Sequence, residues 1–168
     1  MTFTILGMSL EAFVFLHVVL SLVGIMTGLI VLAVMLQNGD LAGWNAFFLI
    51  STILTSVTGF MIPAKTFLPS HVFGAASLVL LAVALFALYG RKLAGPWRVT
   101  YVVTALIALY LNCFVAVVQS FGKVAFLRGQ APTGTEAPFA IAQAIVLILF
   151  LAGGFLAVRR FHPLANRS

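Results

Sequence analysis

Polar residues interrupt this chain in few places, and the interruptions divide it into five long apolar stretches, over 12–36, 44–62, 70–89, 98–121 and 138–158. An α-helix rises about 1.5 Å per residue, so about 20 apolar residues cross the hydrocarbon of a bilayer. Each stretch reaches or approaches that length. The pattern predicts an all-α integral membrane bundle of five transmembrane helices, with 1–168 forming a single transmembrane domain. The breaks carry turn chemistry. Gln37-Asn38-Gly39-Asp40 reads as a tight turn, and 63–69 is bounded by Pro63 and Pro69, with Ser70 placed to cap the third helix. Gly90, Arg91, Lys92, Gly95 and Pro96 mark the third break. The longest connection, 122–137, ends in Thr133-Gly134-Thr135-Glu136. Its Thr and Glu have capping-box spacing, and Pro138 suits a first helical turn.

Composition fixes the solvent. The chain is 63% hydrophobic and 7% charged, against roughly 25% charged in a soluble domain. So few charges cannot cover a water-facing surface. The net charge of +6 is no nucleic-acid signal, because the basic residues stand singly and in pairs in the loops. They read as topology determinants instead. One side holds Arg91, Lys92, Arg98, Arg159, Arg160 and Arg167; the other holds Lys65, Lys123 and Arg128 with Glu11 and Glu136. The excess predicts a periplasmic N-terminus and a cytoplasmic C-terminus in a bacterial inner membrane. Trp44, Tyr89 and Trp97 then fall at the cytoplasmic border, where belt aromatics sit. The segment before residue 12 holds no Lys or Arg, and the first apolar stretch, at about 25 residues, is too long for a signal-peptide core. It is expected to stay as the first membrane helix. Cys113 is the single cysteine, in an apolar run, and reads as an inert buried thiol.

The chain also echoes itself. Leu41-Ala42-Gly43-Trp44 recurs as Leu93-Ala94-Gly95-Pro96-Trp97, and His17-Val18 and His71-Val72 lie 24 and 22 residues before the two leucines. The first two helices would form one hairpin and the next two its repeat, with the fifth helix added. Polar groups follow helical stripes. His17, Ser21, Gly24 and Gly28 share one face, as do Tyr101, Thr104, Ala108, Asn112, Val115 and Gln119. The second helix carries Ser51, Thr52, Thr55, Ser56 and Thr58, hydroxyls that can bond their own helix a turn back.

Depth separates the two ends. Measured from the cytoplasmic side, His17 and His71 lie roughly 30 Å along their helices. Gln119 is at about the same height, and Asn112 and Gln143 lie a turn or two deeper. Five strongly polar side chains therefore gather in the outer half. The inner half holds hydroxyls and interfacial tyrosines, and no Asp, Glu, Lys or Arg lies mid-membrane. That gradient argues against a proton pump or an ion channel, which need polar groups along the whole path.

Two kinds of site fit these residues. His17 and His71 could ligate a haem b iron axially, or share another metal ion. Alternatively His17, His71, Asn112, Gln119 and Gln143 could line a pocket for a quinone or a lipid head group. The bland alternative is packing, with interhelical bonds worth on the order of 0.6 kcal/mol each. Catalysis has little support, since no Ser–His–Asp set, carboxylate pair or phosphate-cradling loop is visible.

Pro69-Ser70-His71, Tyr110-Leu111-Asn112 through Val118-Gln119, Lys123-Val124, and Ala131-Pro132-Thr133 through Glu136 to Pro138-Phe139 carry a resemblance. They resemble a family of uncharacterised small multi-pass bacterial inner-membrane proteins, over nearly the whole chain. That family has more proline after the acidic residue of the long loop, where Ala137 precedes a single proline here. The resemblance implies a bacterial inner-membrane protein and supplies no activity. The expected role is therefore a cofactor- or ligand-binding membrane protein with an outer pocket. Alternatives are an accessory subunit of a membrane complex, or a small-molecule transporter. The expected partners are the lipid bilayer and either a second copy of the chain or a membrane-complex subunit.

Overall fold

The computed structural model describes residues 4–63 and 69–163. Lys65 and Arg167, two of the topology-setting charges, lie outside them. Six helices form: α1 (Leu10–Leu36), α2 (Ala42–Met61), α3 (Pro69–Leu85, continued by a π turn over Phe86–Gly90), α4 (Pro96–Lys123), α5 (Ala125–Gln130) and α6 (Ala137–Arg160). All but α5 are long and apolar enough to cross a membrane. The chain is an integral membrane protein built as an all-helical bundle. In hydrocarbon a helix satisfies its own backbone, which is why the apolar stretches take this form.

α1 packs chiefly on α2, and α3 on α4, which gives the two expected antiparallel hairpins. α2 also meets α3, and α1 meets α4. The four helices therefore close into a ring in which α1 and α3 occupy opposite corners. α6 lies outside the ring, against α4 and α1. It leaves Ile141, Ile145, Ile148, Leu149 and Leu151 exposed to the surrounding lipid. α1, α3 and α6 begin at one end of the bundle, here the amino-terminal end. The α1–α2 and α3–α4 turns and the end of α6 make up the other, carboxy-terminal end.

Lipid gives no hydrophobic force between helices, so close packing must hold them. The tightest point is Gly28 on α1. A Cβ there would stand 2.5 Å from Leu109 Cδ1 of α4 and 2.9 Å from the Phe48 ring of α2. The predicted Gly24–Gly28 pair thus lets three helices meet. Phe48, Leu49, Leu81, Ala84, Ala105, Ala108 and Leu109 are buried around this level and below it. α6 is drawn in where Gly153 faces Leu32 and Gly154 faces Leu106.

Several details depart from the sequence reading. α4 begins two residues earlier than expected, at Pro96, because Gly95 takes φ 54° and turns the chain straight into the helix. Ser70 falls inside the first turn of α3, not at its cap. The long connection is not plain loop, since α5 occupies part of it. A two-residue hairpin precedes α1, β1 (Thr4–Ile5) paired with β2 (Met8–Ser9), and Gly7 at φ 79° makes its turn. The capping box is only half made. Glu136 itself stands at the N-cap of α6 and makes no side-chain cap bond. Its carboxylate instead accepts from the Thr133 backbone N–H at 3.0 Å, the Thr133 hydroxyl at 2.9 Å and the Thr135 N–H at 3.0 Å. The Thr133 hydroxyl donates to that carboxylate instead of accepting from a helix N–H, because the helix starts after Glu136 and not after Thr133.

The carboxy-terminal half is more polar inside than expected. Tyr101 is fully buried, not interfacial, and its hydroxyl donates to Asn45 Oδ1, also buried. Arg98 at the start of α4 donates through one guanidinium nitrogen to the carbonyls of Val158, at 2.7 Å, and Phe161, at 2.6 Å. Those carbonyls end α6 and have no further turn to bond, and the cation also suits the negative end of that helix. The His162 N–H adds a bond to Asn38 Oδ1 at 2.7 Å. These contacts tie the outlying helix to the ring. Tyr89 and Trp44 stay exposed, as belt residues do, and Trp97 is held edge-on to Phe86 under the Arg91 cation.

Two predictions follow from these ends of the bundle. Arg98→Met should lower unfolding stability in detergent by about 2 kcal/mol, since it removes two charge-assisted bonds; an unchanged thermal midpoint would contradict the role given to Arg98. Glu136 has a carboxyl pKa lowered from 4.5 to about 2, first through the Thr133 backbone N–H and further through the Thr133 hydroxyl and Thr135 N–H. A depressed pKa means the ordered loop is favoured above about pH 4.5 and loses that support as pH falls toward 2. Hydrogen exchange at the Thr133 and Thr135 amides should therefore speed up over that window relative to the rest of the chain, and Glu136→Gln should already show the fast exchange at neutral pH.

Candidate functional site

α1, α2, α3 and α4 do not fill the ring at its amino-terminal end. A cavity of about 500 Å³ lies between them, and His17, His71, Asn112 and Gln119 all line it. Four of the five residues singled out in the sequence are thus brought together. Gln143 is not among the lining residues. Its Nε2 donates to the Phe114 carbonyl at 3.2 Å, which joins α6 to α4. Most of the remaining wall is apolar, from Val14, Leu22, Phe60, Phe73, Leu111 and Val115.

Each histidine is held by α2. His17 Nδ1 lies 2.9 Å from the Thr58 hydroxyl oxygen. That hydroxyl reaches the Leu54 carbonyl of its own helix at 2.7 Å. The ring of His71 stacks on Phe60 with centroids 5.6 Å apart and planes at 19°. The two imidazoles therefore approach one cavity from opposite corners of the ring, each against a residue of the helix between them. Gly59 makes room for His17, whose Cε1 would lie 3.3 Å from a Cβ at that position. Gly74 does the same for Phe60, at 3.2 Å.

Deeper in, the α2 hydroxyls behave as expected. Ser51, Thr55 and Ser56 donate to carbonyls one turn back, at 2.5 to 3.0 Å. Thr52 is the exception, being fully buried with no partner for its hydroxyl. Asn112 is 9% exposed, and its Nδ2 is also unpartnered. Both atoms face Gly24, where a Cβ would stand 3.2 Å from Thr52 Oγ1 and 3.5 Å from Asn112 Nδ2. One turn further on, Gly28, Phe48 and Leu109 close the floor. The cavity is blind toward the carboxy-terminal end.

The sequence reading missed Lys123 as a site residue. It lines the cavity and is the one formally charged residue among the described residues that do. The stripe Asn112, Ala116, Gln119 and Lys123 continues at helical spacing, so one more turn of the predicted face would have found it. Ser56 and Ser77 also line the cavity; among so many hydroxyls nothing in the sequence distinguished them.

This arrangement can bind an apolar body with a polar group. It does not assemble a protein-only metal cage: among the described residues no group of three or more His, Cys, Asp or Glu converges. Thr58 is no activated nucleophile, because its proton is engaged by a backbone carbonyl. Comparison with family models, with curated proteins and with solved structures returns no match to this chain.

The unpartnered Thr52 and Asn112 atoms give a direct test of whether these residues serve stability. An unmade buried hydrogen bond costs about 1–3 kcal/mol. The double variant Thr52→Val with Asn112→Leu should therefore be as stable as the parent or more so, by up to about 2 kcal/mol in detergent unfolding. A clear loss of stability would mean that the two atoms are paired in the empty protein.

Proposed function

We propose that this chain is a bacterial inner-membrane protein, a member of the family it resembles, that binds a small amphiphile of quinone or lipid type in the amino-terminal cavity. One observation carries the reading: His17, His71, Asn112 and Gln119 converge on a single, mostly apolar cavity with a closed floor. Its volume lies within the roughly 300–1,000 Å³ usual for small-molecule sites. Polar groups few in number and set in an apolar wall suit a ligand that is itself mostly hydrocarbon. A transporter fits less well, because Gly28, Phe48 and Leu109 obstruct any path along the axis. A packing-only subunit does not explain why the four helices leave a cavity of about 500 Å³ where their polar stripes meet. The distribution of Lys and Arg supports an amino-terminal end facing the periplasm.

A haem b reading draws on a separate observation, the approach of His17 and His71 to one cavity from opposite corners. The Thr58 contact at His17 Nδ1 resembles the hydrogen bond that an Nε2 iron ligand carries on its other nitrogen. Those two imidazoles would hold the iron, and Lys123 would meet a propionate.

One preparation tests both. The protein is purified in detergent, its visible spectrum recorded, and bound lipids and quinones extracted and quantified by mass spectrometry. Ala116→Phe fills the cavity from α4 without replacing any of the polar groups. An amphiphile should co-purify near stoichiometrically with the parent and fall at least tenfold in the Phe variant, with unchanged helicity and elution. Equal amounts from both proteins, or none from the parent, would refute the proposal. A Soret band lost in His17→Ala would establish the haem reading in its place.

A further inference from the structure

We infer that His17 presents a lone pair to the cavity as a fixed hydrogen-bond acceptor, so that the bound amphiphile carries a hydroxyl group, as a hydroquinone does, and not only carbonyls. This rests on the cavity being the binding site. It goes further by assigning the polarity of the ligand's head.

The argument is an account of protons. Thr58 has one hydroxyl hydrogen, and its shortest bond, 2.7 Å, is to the Leu54 carbonyl, with the Thr55 carbonyl at 3.2 Å. Both are acceptors only. With that hydrogen directed at the backbone, the Thr58 oxygen meets His17 Nδ1 as an acceptor, and Nδ1 must carry the imidazole proton. In a neutral ring the other nitrogen, Nε2, then holds a lone pair. Among the described residues no group bonds Nε2, and it is not one of the buried unpartnered atoms. It is therefore open to the cavity that His17 lines.

The α2 side of the wall has the same polarity. Thr55 and Ser56 also line the cavity, and both direct their hydrogens to carbonyls of α2. They show the ligand oxygen lone pairs. Lys123, a donor only, and Gln119, whose amide both donates and accepts, also line the cavity. Ser21 and Ser77, which also line the cavity and make no hydrogen bond among the described residues, keep hydrogens to donate, but a carbonyl set against His17, Thr55 and Ser56 meets only acceptors. A hydroxyl head donates to them. A phenolic hydroquinone and an aliphatic alcohol such as a monoacylglycerol share this chemistry, and the experiment separates them.

Binding is measured by calorimetry in detergent, anaerobically, with four probes: a decyl hydroquinone, its dimethyl ether, the corresponding quinone, and a monoacylglycerol of similar chain length. The hydroquinone should bind about tenfold more tightly than its ether and than the quinone, as expected for one hydrogen bond made or left unmade in an apolar site. His17→Asn is the decisive variant. Its amide N–H can keep the bond to Thr58 while the Nε2 acceptor is lost, so the preference should shrink to within about threefold. Tight binding by the monoacylglycerol as well would mark the ligand as any hydroxyl-headed amphiphile; its failure would mark it as phenolic. Ether or quinone binding as tightly as hydroquinone overturns the inference and leaves the cavity reading standing, as does an undiminished preference in His17→Asn. No probe binding better to the parent than to Ala116→Phe overturns both. Independently of any ligand, long-range proton–nitrogen NMR should find His17 protonated at Nδ1, and a proton on Nε2 would refute the assignment.

Discussion

The close approach of three helices at Gly28 is the constraint on which the rest depends. Helices in lipid gain nothing from hiding apolar surface, so dispersion contacts and a few polar bonds must bring them together. At Gly28 the missing side chain lets Leu109 and Phe48 reach the α1 backbone. Below this level the ring fills with Ala84, Ala105, Ala108 and their neighbours. Above it, α1 and α4 turn polar side chains inward, and the ring does not close. The cavity is the consequence of a bundle drawn tight at one level and left open at another.

Polar groups divide between the two ends by function. At the carboxy-terminal end they are paired: Tyr101 with Asn45, Arg98 with the last carbonyls of α6, Asn38 with the His162 N–H. Unmade bonds in hydrocarbon are expensive, and here few are left. At the amino-terminal end the accounts do not close. Thr52, Asn112 and Gln143 each keep an unpartnered atom, and His17 keeps an accessible ring nitrogen. The fold satisfies its polar groups in one half and leaves several open in the other, the half that holds the cavity.

The number of spanning helices, their bounds within a few residues and the hairpin pairing were legible because the bilayer permits few alternatives. An apolar run of about 20 residues has one stable form in lipid. The stripes on α1 and α4 were legible for a related reason, since polar side chains avoid hydrocarbon and so report which face turns inward. What escaped were features set by single torsions or by partners distant in sequence. The Gly95 turn, the α5 helix and the reversed Thr133 hydroxyl depend on local backbone geometry. The Tyr101 pair and the Arg98 bonds join residues 56, 60 and 63 positions apart, and no local pattern announces them. Tyr101 looked interfacial because tyrosine often is, yet its position on the inward stripe should have carried more weight.

By itself, the amino-acid sequence determined that this is a five-helix membrane protein with its polar residues weighted toward one end, because hydropathy and helical periodicity act residue by residue. Tertiary structure alone decided which of those residues meet. Gln143 lies on α6, outside the ring, and so bonds Phe114 and leaves the site. Lys123 lies one turn beyond Gln119 and so joins it. Which nitrogen of His17 faces the cavity was decided by Thr58, 41 residues away and itself committed to the backbone of α2. Hydrogen-bond direction is a property of the assembled network, and the network exists only once the helices have packed.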